Sequence, residues 1–592
     1  MPVPRIDFGS YLRRIGRLTR HEQVILSILA VVIGLIGGGS AIVFREGIEI
    51  VQLVAFEMGF DRADPSFVGI PWWRILLATT LGGLLVGLLV EYALPKQRVE
   101  GVSDVIEASA LRGGQMQIRS GIGAAAASAL SIGVGASAGR EGPVVHLAAS
   151  LSAFVAEKLR LGRSLSRTLL GCGVAAGVAA SFNAPIAGVF FALEVVIGHY
   201  ALGAFAPVVI ASVAGTMVSR AYFGDFPAFI IVGHEIASVL EFPAFALLGL
   251  ISAVTAIVLM RSVALTQKAM RDTSIPRWTQ PACGGLIVGL IAIVYPQVLG
   301  VGYAVTDAAL NEALVISVLL GVLIAKTVAT AITLGCGFGG GVFSPALVIG
   351  AMLGGSFGFV ATSVFPDLSS GHGAYTIVGM GAVAGAILGA PISTILMVFE
   401  LTGDYALTVA VMIATVIASL LTRNIFGHSF FTWQLEQRGL DVREGREQRL
   451  LQAFHVGQVM TDDFVTVDPG AMMNEVRTKL PSVAYGTLFV IDGERVIHGT
   501  IALSDLHQAA FDTEIDSLIN AQDVARLHPP VLALDADLGM AMNLMQAEEE
   551  DHVAVVESLE SMKFAGVVHQ RDVMMAYRNA IAEARAEEGS AA

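Results

Sequence analysis

The chain has 592 residues, 54% of them hydrophobic and 15% charged, against about 25% charged in an ordinary soluble domain. With a mean hydropathy of +0.70 and 65 glycines, this composition excludes a purely soluble globular protein and points to a polytopic helical membrane protein. The net charge of −14 is unevenly spread: residues 436–592 hold 27 acidic and 12 basic side chains, the remainder 23 and 24. An acidic soluble tail therefore follows a near-neutral membrane body, and its sign argues against nucleic acid or anionic lipid as the tail's partner.

In chain order, residues 1–23 carry Arg5, Arg13, Arg14, Arg17 and Arg20 ahead of the first apolar stretch. That stretch is too long for a signal peptide and lacks a cleavage site, so the segment reads as a cytoplasmic N-terminus by the positive-inside rule. Apolar runs near spanning length follow at 24–44, 75–90, 245–260, 314–334, 377–399 and 407–421. Several are short or broken by Gly and Pro, which a membrane tolerates only where backbone is buried in protein or lines a cavity. A transporter or channel fits this better than a simple anchor. Cys172, Cys283 and Cys336 lie in apolar segments and read as inert thiols, with no metal spacing.

The most informative stretch is Gly139-Arg140-Glu141-Gly142-Pro143, set inside a run of small and apolar residues. A carboxylate at membrane depth is expensive and marks a functional site by default. Flanking glycines and a following proline suggest a broken helix start, where free N–H groups and the positive dipole end face an anion. The competing reading is a surface loop. A second G-x-x-x-P occurs at Gly341-Val342-Phe343-Ser344-Pro345, without charge. Downstream of each comes a matching unit: Ala184-Pro185-Ile186 with Glu194, and Ala390-Pro391-Ile392 with Glu400. The glutamate follows its proline by nine residues in both. These matches in one order predict two repeats, about 22–222 and 240–432, of inverted topology, with a midplane substrate site where discontinuous helices point their N-termini. Backbone donors without full charge suit an anion that must bind and then leave.

Together the Gly-Arg-Glu-Gly-Pro, Gly-Val-Phe-Ser-Pro and duplicated Ala-Pro-Ile…Glu motifs resemble the CLC family of chloride channels and chloride/proton exchangers, over roughly residues 25–435. The resemblance implies an all-α polytopic membrane fold of two inverted repeats with discontinuous helices, and a homodimer in the lipid bilayer with one anion path per subunit. Chloride or a related anion is the transported ligand, and no cofactor is required. It also implies that Glu141 is the gate and proton acceptor, that Val342 and Phe343 give amides to a central anion, and that Arg140 and Gly142 serve an outer one. Substituting Glu141 by Gln is then expected to mimic the protonated gate.

This chain departs from the family pattern at three places. Where the family has Gly-Ser-Gly-Ile-Pro, it reads Val99-Glu100-Gly101-Val102-Ser103, so Glu100 replaces a serine that touches the central anion. Glu100 is then protonated, turned toward solvent, or out of register; one reading makes it a central or inner carboxylate. Where the family has an inner tyrosine, Phe431 stands, able to block but not to donate a hydroxyl hydrogen bond. Where many exchangers have a second glutamate serving internal proton transfer, Val195 follows Glu194. Glu194 itself is expected to hold a helix terminus, and Asp404 to cap or mark a helix end. Lys326, inside an apolar helix, is expected to pair or snorkel, with a contribution to the anion's field as the alternative. His146 reads as a core histidine.

Residues 436–454 read as a charged helical linker. Two similar strand–helix–strand–strand–helix units follow, over 455–580. They resemble a soluble α/β pair of CBS modules, with residues 581–592 as a flexible acidic tail. By the resemblance, Asp505 and Asp572 are candidates for bonding the ribose of an adenine nucleotide. No P-loop glycine motif accompanies them.

Three functions follow as expectations. The first is an anion pathway, channel-like or weakly proton-coupled, with a chloride/proton antiporter using Glu100 or another group as the alternative. The second is an intramembrane enzyme acting through Glu141 or His146, which lacks any nucleophile or metal motif. The third is a CBS-containing divalent-cation transporter, which would need acidic ligands within the spans. The expected setting is the cell membrane, with N-terminus and tail cytoplasmic.

Overall fold

The computed structural model describes residues 22–60, 70–198, 202–225, 229, 236–440, 454–483, 486–502, 506, 516 and 518–589. The chain divides into two compact units, Met1–Val442 and Arg443–Ala592. The basic segment before residue 22, linker residues 441–453 and Asp505 lie outside the described residues.

In its described residues the first unit is built of helices. Its first half runs α1 (Glu22–Phe56), α2 (Trp72–Ala93), α3 (Val102–Leu111), α4 (Ile118–Gly133), α5 (Glu141–Lys158), α6 (Arg163–Phe182), α7 (Pro185–Phe191), a π-helical turn (Ala192–Ile197) and α8 (Leu202–Phe223). The second half runs α9 (Phe242–Asp272), α10 (Gln280–Val294), α11 (Tyr303–Leu310), α12 (Ile316–Gly335), α13 (Phe343–Val364), α14 (His372–Leu388), α15 (Pro391–Thr402), α16 (Tyr405–Phe426) and α17 (Phe430–Glu436). Among the described residues, nine helices are long and apolar enough to cross a membrane.

The apolar run 377–399 is not one span. Gly389, at φ +65°, ends α14 in the left-handed region, and Pro391 opens α15. The first half makes the same break, where Asn183 at φ +58° ends α6 and Pro185 opens α7. A left-handed cap followed by proline at the first helical position stops one helix and starts another.

The two halves exchange caps across this pair of breaks. Glu194 accepts from Ile392 N at 3.1 Å and Ser393 N at 2.8 Å. Glu400 accepts from Ile186 N at 2.8 Å and Ala187 N at 2.7 Å. Each carboxylate thus satisfies orphan donors at the start of the other half's helix, where the dipole favours negative charge. Asp404 likewise caps α16, accepting from Leu407 N at 2.9 Å.

Among its described residues the second unit holds two sheets of like topology. In the first, β1 (Thr466–Val467) runs parallel to β2 (Thr487–Ile491), which pairs antiparallel with β3 (Ile497–Ala502) and through it β4 (Arg526–Leu527). In the second, β5 (Val531–Ala533) runs parallel to β6 (His552–Val556), which pairs antiparallel with β7 (Phe564–His569). The α-helices of this unit among the described residues are α18 (Met473–Lys479), α19 (Ala521–Val524), α20 (Leu538–Glu548) and α21 (Gln570–Gly589). Both central pairs carry a register shift at the same point, Val490/Ile491 and Val555/Val556. The sheets share a core of Phe489, Ile497, Ala554, Val556, Phe564 and Val567. Helix α21 runs to Gly589, so most of the stretch read as a flexible tail is helical, as its alanine and glutamate content favours.

Candidate anion pathway

Two helix starts are tied together at the centre of the first unit. Gly139 N donates to Gly341 O and Gly341 N to Gly139 O, both at 2.7 Å. This two-residue bridge brings Glu141, first residue of α5, beside Phe343, first residue of α13. Gly139 has to be glycine here. A β-carbon at that position would lie 2.9 Å from Glu141 Oε2 and from Ser344 N.

Beside this junction lies a cavity of about 10 Å³, lined by Val102, Glu141, Gly142, Val145, Val178, Phe191, Gly341, Val342, Phe343 and Phe431. That is roughly one water's worth of room. Three helix N-termini contribute to its wall: Val102 begins α3, Glu141 begins α5 and Val342 caps α13. Such ends carry free N–H groups and roughly half a positive charge each. The wall is otherwise apolar; its Phe343 packs at a tilt against Phe191 and, behind it, Phe182, at 6.0 and 5.0 Å between ring centres.

Glu141 is 1% exposed, yet its carboxylate is well satisfied. Tyr303 Oη donates to Oε1 at 2.7 Å, and the Ser344 hydroxyl donates to Oε2. The Arg140 guanidinium sits over the Tyr303 ring at 4.5 Å, with Nε 3.9 Å from Oε1. The sequence missed both hydroxyls. Ser344 lay in plain view inside the second glycine–proline motif, but no local signal marked Tyr303, 162 residues away.

Larger cavities flank the small one. The first, about 570 Å³, shares Val102, Gly142, Gly341, Val342 and Phe431 with it. Arg98, Arg271, Arg277 and Arg438 line it, against Glu91 and Glu100. An excess of basic side chains in a concave wall raises the local concentration of anions. The second, about 540 Å³, is lined by Arg140 with Arg45, Glu46, Glu49 and Tyr222 among others. Glu141 stands between, with Gly142 in the wall of the first and Arg140 in that of the second. Phe431, 5% exposed, lines both the small and the first large cavity.

Glu100 is not at the small cavity but lines the first large one. It is 6% exposed, ion-paired with Lys96 and accepting from Ser120 Oγ. It precedes Gly101, the cap of α3, so Val102 takes the wall position beside the glutamate. Asp104 fixes that start, accepting from Gly101 N at 3.0 Å while Arg98 and Arg438 bind it from outside. Lys326 does not snorkel and forms no ion pair among the described residues: its buried Nζ donates to Val298 O at 2.9 Å and Gly300 O at 2.8 Å, on the segment leading to Tyr303. Asp572 lies in the first turn of α21, its Oδ1 3.5 Å from Arg571 Nε.

Comparison with known proteins agrees with this architecture. The profile of the voltage gated chloride channel family matches residues 82–423, and the CBS domain profile matches 456–512 and 521–579. A ClcB-like chloride channel protein of Ralstonia nicotianae is 34% identical over 393 residues, 66% of this chain and 91% of its own length. The chloride channel protein CLC-e of Arabidopsis thaliana is 26% identical over 625 residues, covering 93% and 87%. Among solved structures, a slow cyanobacterial Cl⁻/H⁺ antiporter superposes with TM-score 0.63 at 21% identity, over 72% of this chain and 99% of its own. A eukaryotic CLC transporter superposes with TM-score 0.61 at 19% identity, over 92% and 97%. These two likenesses concern the fold. The chain belongs to the CLC family of anion-transporting, multi-pass membrane proteins, and carries a pair of CBS domains behind its membrane body.

Proposed function

We propose that the protein conducts chloride or a kindred anion through the chain of cavities in each subunit, with Glu141 as the gate. The observation that carries this reading is the resting place of the Glu141 carboxylate. It occupies the junction of the α5 and α13 N-termini and takes the hydrogen bonds of Tyr303 and Ser344. A protonated Glu141 no longer competes for those donors. It swings aside, and an anion takes its place against the amides of Val342, Phe343 and Gly142, with Arg140 on the far side. Phe431 narrows the other exit sterically. Without a second glutamate at Val195 and with phenylalanine at the inner constriction, the conductance is channel-like or weakly proton-coupled.

Proton-coupled exchange is the second reading, and one observation favours it: Glu100 lines the first large cavity beside the path. The relatives' names point both ways, to chloride channels and to a Cl⁻/H⁺ antiporter. The working unit is a homodimer in the cell membrane, with N-terminus and CBS tail cytoplasmic, and the CBS pair is the candidate site for an adenine nucleotide near Asp572. The experiment is chloride efflux from liposomes holding the purified protein, with external pH recorded together. Flux without linked proton movement supports the channel-like reading. Protons driven uphill by chloride establish the exchanger, and absence of any chloride flux removes the proposal.

A further inference from the structure

His146 lies on α5, five residues beyond Glu141, and is 1% exposed. Neither ring nitrogen has a hydrogen-bond partner among the described residues. A buried polar group left in that state is costly and calls for a reason. Its Nε2 stands 3.6 Å from Oε2 of Glu100, and Glu100 lines the first large cavity. The residue before it, Val145, lines the small one. The imidazole therefore sits next to the anion path, with a single carboxylate between it and cavity solvent.

The charges around it are few. From the α3 side come Glu100 and Asp104, with Lys96 and Arg98 behind them. Of the buried residues of α4 and α6, the one titratable side chain is Cys172, and α13 has none. On α1, Glu46 and Glu49 line the other large cavity with Arg140. On α5 itself, Glu141 bonds Tyr303 and Ser344.

We propose that His146 and Glu100 form a proton-accepting pair served from the first large cavity, and that its charge sets the response of anion flux to pH on that side. A proton from cavity water binds the Glu100 carboxylate. That O–H bond then breaks as Nε2–H forms on His146, and Glu100 returns to its anionic form. The pair gains one positive charge beside the small cavity and favours an anion there. Imidazole is the side chain suited to such a change near neutral pH. It offers a proton acceptor in a chain that has Val195 rather than a second glutamate after Glu194, and it rests on the reading of Glu141 as the gate only in that the gate's own titration must be removed to see it.

The test uses full-length protein in liposomes and chloride efflux at symmetric pH from about 8 to about 5.5, the range over which imidazole titrates. In the E141Q background a residual rise toward acid pH is expected. E141Q/H146Q loses it, giving a flat profile. E141Q/E100Q keeps it but moves its midpoint to more acid pH by about one unit, since the neighbouring negative charge is gone. This second variant decides the matter if H146Q does not insert. A flat profile in E141Q alone, a residual rise surviving H146Q, or a midpoint unmoved by E100Q overturns the pair while leaving the gate intact. If E141Q leaves the wild-type profile unchanged, the gate reading falls instead, and H146Q in the wild-type background still decides the pair.

Discussion

Tyr303 and Ser344 hold the Glu141 carboxylate, the proposed gate, with hydroxyl donors rather than with a full charge. A hydrogen bond to a charged group contributes about 1.5–3 kcal/mol, enough to bias the gate without locking it. Tyr303→Phe keeps the ring under Arg140 and removes only the donor. Chloride efflux at neutral pH should rise several-fold, by about tenfold for each 1.4 kcal/mol lost from the closed form; unchanged or slower efflux would show that Tyr303 does not hold the gate shut. Lys326 acts one step behind. Lys326→Met strands two buried carbonyls, of Val298 and Gly300, each at a cost of about 1–3 kcal/mol. The variant should melt earlier in detergent and share the efflux phenotype of Tyr303→Phe. That Glu141, Gly142, Val342 and Phe343 belong at helix starts was legible because glycines, proline and a lone carboxylate stand close together in sequence; the structure sets all four around one small cavity. Tyr303 was not, since its tie to Glu141 exists only in three dimensions. For Glu100 the sequence left its place open; the structure sets it in the wall of the first large cavity, held by its ion pair with Lys96 and its bond from Ser120.

The helices that matter are the interrupted ones. The nine-residue spacing between proline and glutamate was visible twice in the sequence, and the structure gives its physical meaning as the reciprocal capping of α7 and α15 by Glu400 and Glu194. Spacing could expose the repeat. It could not show that each glutamate serves the other half. Removing a carboxylate from two amide donors at a helix N-terminus should cost about 1–3 kcal/mol. Glu194→Ala and Glu400→Ala should each lower the melting temperature in detergent, by similar amounts given the similar geometry. A melting point equal to wild type would mean that other donors or water replace the cap. Apolar content alone also joined α14 and α15 into one run, 377–399. The break there comes from the left-handed Gly389 and from Pro391, which hydropathy does not register.

The whole molecule divides at the point where charge divides. The near-neutral half is the helical body, and the acidic half is a pair of sheets with matching topology and matching bulges. In the tail, His552 and His569 face one another at 5.8 Å between ring centres. Burial holds both imidazoles below the ordinary range, and for His569 the neighbouring His552 adds to it. The folded tail therefore binds fewer protons than the unfolded chain. The stability this pair contributes is fully present above the unfolded histidine value, about 6.5, and is lost as pH falls below it. Hydrogen exchange of β6 and β7 amides in the full-length protein, corrected for intrinsic rates, should speed up between about pH 7.5 and about pH 5.5; equal protection at both would remove the histidines from the tail's stability.

The proposed gating turns on Glu141. The most direct measurement is chloride efflux from liposomes containing wild-type protein or Glu141→Gln, compared across pH. On this gating the variant is expected to conduct faster than wild type at neutral pH and to lose most, though not all, of the wild-type pH dependence. A Glu141→Gln protein that conducts no faster than wild type at neutral pH, with an unchanged pH profile, would contradict it.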